Sequence, residues 1–343
     1  MKINPSRQVF LTFDIEGPKG KEDFFQRESA EILLRVLRLL KRFRLRGLFF
    51  ITGTVTERLV QFPEITGILR DHLVGYHSSS HSIKPRIFEY TDVKDYRQAI
   101  QESLKRETSS IDPRTGRIAG KGGILQLRKV FCHTRVECFR APFLCWSPPH
   151  LESLRKLGIK YDFSTNISSI PMQHRGLTFF PQATVVDTIP EKVASLVENQ
   201  KRVLPTFLLQ RILAEQCTVL LIHPSKLVPS QCCTKNTKSD SDAEVYLAEC
   251  KSPVKLTVSF AALRMLFSGL SLLQRTNAIV VTPSPRTSDF NLETSKIRTR
   301  KIYMENASIC KKLFNYEPNH MLAHFAEFFE AKPENVKQDL VEE

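Results

Sequence analysis

The chain has 343 residues, of which 41% are hydrophobic and 25% charged, with a formal net charge of +14 at pH 7. That length holds one large domain with an appendage or two medium domains, and the composition is that of a globular chain. No apolar run approaches the roughly 18 residues of a membrane span, so no membrane-spanning helix is expected.

The first residues lack a signal-peptide core, Met1 to Gln8 leading directly into Val9–Phe13, so the reading is intracellular and cytoplasmic. The eight cysteines show no repeated C-x-x-C pairing and are expected as free thiols in a reducing compartment. Cys132, His133, Cys138 and Cys145 stand close in sequence, which leaves a second metal site open there. From Asn291 onward the chain carries eight Lys/Arg against nine Asp/Glu, so the positive excess lies in the first 290 residues. A basic surface favours acidic partners. The cations are dispersed and lack aromatic interleaving, so no nucleic acid is expected.

In chain order, Val9–Phe13 reads as a strand, and Glu28–Phe43 as a helix with apolar residues at helical spacing. Gly47–Gly53 reads as a second buried strand, and Val55–Leu73 as helix broken at Pro63. Leu73–Tyr76 is a short strand and Asp92–Ile111 a helix. Pro113–Arg128, dense in Gly and basic residues, fails the phosphate-loop spacing and reads as a basic surface loop. Val136–Phe139 is a strand, Pro148–Leu157 a helix, and Ile159–Phe163 and Thr218–His223 strands. Val258–Gln274 is a helix, Ala278–Thr282 the last strand, and a helix is expected around His320–Phe329. Such alternation predicts a parallel sheet, and chemically useful residues recur at strand C-termini, as in barrel enzymes.

Those residues define a candidate site. His77 and His81, four apart, can pinch one metal ion if they lie on one face of a helical turn. Asp14 and Glu16, two apart at a strand end, point to one side. Hydrolysis of an amide at neutral pH needs a metal to acidify water, a base and an acid for the leaving nitrogen. Glu16, His77 and His81 are the metal ligands of this reading, Asp14 the base and His223 the acid. Arg140 holds Asp14 ionised, and Asp162 orients His223.

In this order the motifs resemble the polysaccharide deacetylase family, also called the NodB-homology domain or carbohydrate esterase family 4. Thr12-Phe13-Asp14-Ile15-Glu16-Gly17 looks like T-F-D-D-G, and His77-Ser78-Ser79-Ser80-His81 matches H-[ST]-x-x-[HS]. Arg140-Ala141-Pro142-Phe143 is similar to R-x-P-[YF], and Tyr161-Asp162-Phe163-Ser164 to the fourth element. Leu220-Leu221-Ile222-His223 resembles the closing L-x-x-H. The resemblance implies an α/β fold of the distorted (β/α) TIM-like barrel type, and zinc- or cobalt-type divalent metal-dependent hydrolysis of an N-acetylated sugar. It implies roles for Asp14, His77, His81, Arg140 and His223 as above, with Pro142 and Phe143 lining the substrate groove. Trp146, the sole tryptophan, joins them as a candidate substrate contact.

Residues 8–285 are expected as the catalytic domain, with a polar insertion around 224–253. Residues 286–343 are expected as an accessory, partly helical tail. Ile15 replaces the family's second Asp, so either Glu16 takes the ligand role or Asp14 binds the metal itself. Beside N-deacetylation, a cyclic amide or imide hydrolase and a non-catalytic glycan- or partner-binding module stay open. Oligomeric state is not encoded in any feature of the sequence.

Overall fold

A computed structural model of the chain describes residues 7–16, 25, 27–81, 83–112, 115–164, 171–181, 183–186, 203–227, 260–282 and 299–330. Its strands in chain order are β1 (Arg7–Ile15), β2 (Leu48–Ile51), β3 (Leu73–Tyr76), β4 (Ser109–Ile111), β5 (Ile118–Lys121), β6 (Cys138–Phe139), β7 (Tyr161–Asp162), β8 (Met172–His174), β9 (Leu177–Phe179), β10 (Thr184–Val185), β11 (Cys217–Ile222) and β12 (Ile279–Val281). The helices are α1 (Arg27–Phe43), α2 (Gly53–Leu59), α3 (Pro63–Leu69), α4 (Ile87–Tyr90), α5 (Tyr96–Glu107), α6 (Ile124–Val130), α7 (Pro148–Lys156), α8 (Val203–Ala214), α9 (Phe260–Arg275), α10 (Thr299–Phe314) and α11 (Met321–Phe328). The chain forms two compact units. One takes Met1–Phe49, Arg58–Leu73 and Ala183–Ser284, the other Phe50–Glu57, Val74–Gln182 and Pro285–Glu343.

In the first unit the strand order is β10-β11-β1-β2, with β12 also on β1. β1 and β11 run parallel, Gln8 opposite Cys217 through Phe13 opposite Ile222. Both strands are almost wholly buried, which is why they read as unbroken apolar runs rather than alternating ones. α1 follows the 3.6-residue period: Leu33, Val36, Leu37 and Leu40 are fully buried. Each such side chain contributes roughly 1.5–3 kcal/mol on removal from water.

In the second unit the order continues β2-β3-β6-β7-β9-β8, because β2 is divided between the units after Phe49. β3, β6, β7 and β9 pair in parallel through Tyr76–Phe139, Phe139–Asp162 and Asp162–Phe179. β8 returns antiparallel on β9 through a two-residue turn, Arg175-Gly176, with both residues at positive φ (47° and 76°). Strands laid beside one another nearly in chain order, mostly parallel with helices between, are the α/β class of the (β/α) barrel type expected from the sequence.

Several local expectations are corrected. Asp92–Ile111 is not one helix: α5 begins where the Asp95 side chain accepts the Gln98 N–H, and ends before β4. Pro113–Arg128 is not simply a loop, since it supplies β5, antiparallel to β4, and most of α6. Most of the 224–253 insertion and the Pro283–Pro285 boundary lie outside the described residues.

Residues 299–330 are built into the second unit. Trp146 packs on Phe325 (ring centroids 5.1 Å), Phe328 and Phe329, and its backbone N–H donates to Asn306 Oδ1 at 2.8 Å. The Asp92 carboxylate accepts bonds from Tyr316 Oη and from the Asn319 and His320 N–H groups. No helix among the described residues is long and apolar enough to cross a membrane.

Candidate active site

The first unit carries one half of the predicted set. Asp14 stands at the end of β1 and Glu16 just beyond it, 3% and 7% exposed. Because Phe13 is opposite Ile222, parallel register brings Asp14 beside His223, the residue that follows β11. His223 Nε2 lies 3.8 Å from Asp14 Oδ2. On the other side of the ring, Lys226 Nζ is 3.1 Å from His223 Nδ1. An ammonium can only donate, so Nδ1 accepts and the ring proton of a neutral His223 sits on Nε2, the nitrogen toward Asp14. Lys226 was not anticipated. Its position three residues after His223, in the short turn Pro224–Leu227, gave no signal of its own.

The second unit carries the other half. His77 follows β3, and its Nδ1 is 2.7 Å from the Arg140 carbonyl oxygen. A carbonyl only accepts, so Nδ1 bears the proton and Nε2 presents its lone pair. The His81 ring lies 5.2 Å from that of His77 and 4.8 Å from Phe143. The two histidines do not share a helical turn. Ser78 and His81 both take positive φ (67° and 48°), and the pair sits on a tight loop held by the Ser78 Oγ bond to the His81 N–H. The spacing of four therefore brings the two rings close on a loop backbone, not on a helical turn.

Arg140 follows β6 and is completely buried, its guanidinium 4.4 Å above the Phe50 ring and its Nε donating to the Phe163 carbonyl. Asp162 is also completely buried. Its two carboxylate oxygens accept from Ser164 Oγ (2.6 Å) and Ser164 N–H (3.1 Å). Ser164 Oγ in turn accepts the Ala141 N–H at 2.7 Å, so Asp162 anchors the Arg140-Ala141-Pro142 segment.

Pro142 is buried in a short turn, while Phe143 is half-buried at φ 56° between His81 and Phe314. A β-substituted residue in the left-handed region stores strain of order 1–3 kcal/mol. Trp146 is corrected as a groove residue: it is 1% exposed and its ring is occupied by the tail helices. The tail gave no sequence signal of contact with it. The cysteine-rich stretch does not gather into a ligand set among the described residues. Cys132 is exposed, and Cys145 Sγ instead lies 3.6 Å from Cys310 Sγ.

No protein-family model matches the chain, and no curated protein matches it. Among solved structures it is similar to a family 4 carbohydrate esterase from Streptomyces lividans, at 14% identity and TM-score 0.39, over 81% of this chain and 94% of that one. It is similar to the catalytic domain of a peptidoglycan N-acetylglucosamine deacetylase from Eubacterium rectale, at 14% identity and TM-score 0.38, over 85% and 94%. It is also similar to a family 4 pseudoenzyme from Bacillus anthracis, at 14% identity and TM-score 0.35, over 76% and 66%.

Proposed function

We propose that the protein is a metal-dependent hydrolase of carbon–nitrogen bonds other than peptide bonds, removing the acyl group from an N-acetylated sugar or glycoconjugate. The observation that carries this reading is the buried imidazole pair. His77 has its Nδ1 proton taken by a backbone carbonyl, so its Nε2 is prepared to donate to a metal, and His81 is packed against it. A ligating histidine is held in this way, its second ring nitrogen donating to a carbonyl or carboxylate.

Glu16 is the third ligand. Glu16, His77 and His81 are all buried and are the acidic and imidazole side chains suited to a metal ion among the described residues. Two imidazoles and one carboxylate fit zinc, and also cobalt or iron, with a position left for water. Bound there, a divalent ion supplies a Lewis acid that eases the deprotonation of water to near-neutral pH.

The remaining chemistry belongs to the chain. Asp14 accepts the proton of the attacking water. His223, with its Nε2 proton fixed by Lys226 on the opposite nitrogen, delivers a proton to the departing nitrogen. Arg140 orients Asp14, and Asp162 anchors the Arg140–Pro142 segment through Ser164. Pro142 and Phe143 contact the substrate. Water adds to the acyl carbon, the carbon–nitrogen bond breaks, and acetate and the free amine leave.

The test is release of acetate and amine from a panel of N-acetylated sugars, run beside ring-opening of cyclic amides and imides. The protein is first stripped with a chelator, then given zinc or cobalt. Metal-restored acetate release is the expected result. Metal-restored ring-opening without acetate release would assign the cyclic-amide reaction instead, and no turnover of either class with metal bound would leave a binding module.

A further inference from the structure

The loop between the two histidines is gripped by a buried carboxylate that no step above uses. Glu107, the last residue of α5, is 1% exposed. Its Oε2 accepts the Ser79 N–H at 2.9 Å and the Tyr76 hydroxyl at 2.6 Å. Its Oε1 accepts the Tyr90 hydroxyl and lies 3.2 Å from His150 Nε2, on a ring that is fully buried. Tyr76 and Ser79 are the residues just before His77 and midway between His77 and His81.

The grip is reinforced from both ends of the loop. Ser79 Oγ donates to the Arg106 carbonyl at 2.9 Å, and Arg106 Nη2 donates to Ser80 Oγ at 3.0 Å and to the Ile83 carbonyl at 3.2 Å. The Gly53 and Thr54 N–H groups, opening α2, donate to the Ser78 and Ser79 carbonyls at 3.0 Å each. Gly123, at φ 54°, passes so close that a Cβ there would stand 2.4 Å from Ser79 Oγ.

The charge state fits the role. Burial pushes the Glu107 carboxyl upward, but the His150 imidazole and the hydrogen bonds from His150, Tyr76 and Tyr90 outweigh it and hold the carboxyl down at about 2. Tyr76 and Tyr90 are raised well above the usual phenol range, chiefly by burial and then by the Glu107 charge, so both remain donors. An ionised carboxylate taking this many bonds in a dry site does not move cheaply.

We propose that Glu107 is a positioning residue for the metal site, its carboxylate fixing the Ser78–Ser80 backbone so that His77 and His81 are preset at ligating separation. The inference rests on the metal-site reading above. A free His-x-x-x-His loop would lose that separation when empty and would have to be reordered on each binding event. Glu107 moves that ordering into folding, so its loss is read in metal affinity rather than in the ligands themselves.

The experiment measures zinc affinity by competition with a chromophoric chelator, on the full chain. The samples are the unmutated protein, His77→Ala, Glu107→Gln, Tyr90→Phe and Arg128→Ala, with thermal melting recorded for each. Arg128 ties the Val136 and Leu157 carbonyls in the same unit rather than the loop backbone, and serves as a general destabilising lesion. Glu107→Gln is expected to weaken zinc binding by about 10- to 100-fold. Tyr90→Phe is expected to weaken it severalfold, and Arg128→Ala to lower the melting temperature with affinity unchanged. Zinc affinity unaltered in a folded Glu107→Gln, or in Tyr90→Phe should Glu107→Gln fail to fold, overturns the proposal. So does an equal loss in Arg128→Ala. If the unmutated protein takes up no zinc, or His77→Ala binds it as well, the metal-site reading falls and the positioning role with it. That outcome is distinct from an affinity lost in His77→Ala alone.

Discussion

Phe325→Ala tests whether the C-terminal helices belong to the core of the second unit. Phe325 is fully buried, with its ring centroid 5.1 Å from Trp146, 6.0 Å from Tyr303 and 6.2 Å from Phe329. A buried Phe withdraws at least about 150 Å² from water, worth about 4 kcal/mol at 25 cal/mol per Å². Phe→Ala changes in cores cost about 3–5 kcal/mol once the residual cavity is included. Trp146 is the sole tryptophan, so intrinsic emission reports this contact without interference. Urea unfolding followed by Trp146 emission and by far-ultraviolet circular dichroism should show a loss of about 3–5 kcal/mol. The emission should also shift to longer wavelength before urea is added. A loss below about 1 kcal/mol with unchanged emission would refute the packing described for α10 and α11, and with it the removal of Trp146 from the substrate groove.

Two further outcomes are expected. His72 Nδ1 accepts the Gly47 N–H at 3.2 Å, and burial first, then the Arg46 charge, lower its pKa to about 4. The unfolded chain protonates it below about 6.5. This contribution is therefore present above pH 6.5, is lost as pH falls from 6.5 toward 4, and amounts to about 3 kcal/mol. His72→Asn should flatten the pH dependence of the urea midpoint over that interval, and an unchanged slope would contradict it. Asp14→Asn should keep bound metal yet lose turnover by at least about 100-fold, the lower range of a general base's contribution. Loss of the metal instead would make Asp14 a ligand and leave the base unassigned.

The parts of the fold that could be read from the sequence are those whose physics is local. β1, β2 and β11 are buried on both faces, so they stand out as apolar runs, and α1 announces itself by its period. Motif order then brought Asp14 beside His223, because two parallel strands of known ends fix which residues follow them. The backbone of the histidine loop was not legible: a spacing of four fits a helical turn, and only the coordinates show Ser78 and His81 at positive φ. The β8–β9 hairpin was missed although Gly176 marks its turn, since the strands are three residues each and too short for a periodic signal. Trp146 and Glu107 were illegible for a common reason. Each acts through residues far along the chain, Trp146 with Phe325 and Glu107 with Tyr76 and Ser79, and a lone acidic residue at a helix end reads as solvated surface.

The central claim is that Glu16, His77 and His81 hold one catalytic metal ion, and metal content is its most direct test. The protein is purified without chelator and dialysed against trace zinc. Elemental analysis of the unmutated chain, Glu16→Ala, His77→Ala and His81→Ala should then give close to one equivalent of zinc for the first and a small fraction of that for the other three. An unmutated protein without stoichiometric metal, or substitutions that leave the metal in place, would contradict the account.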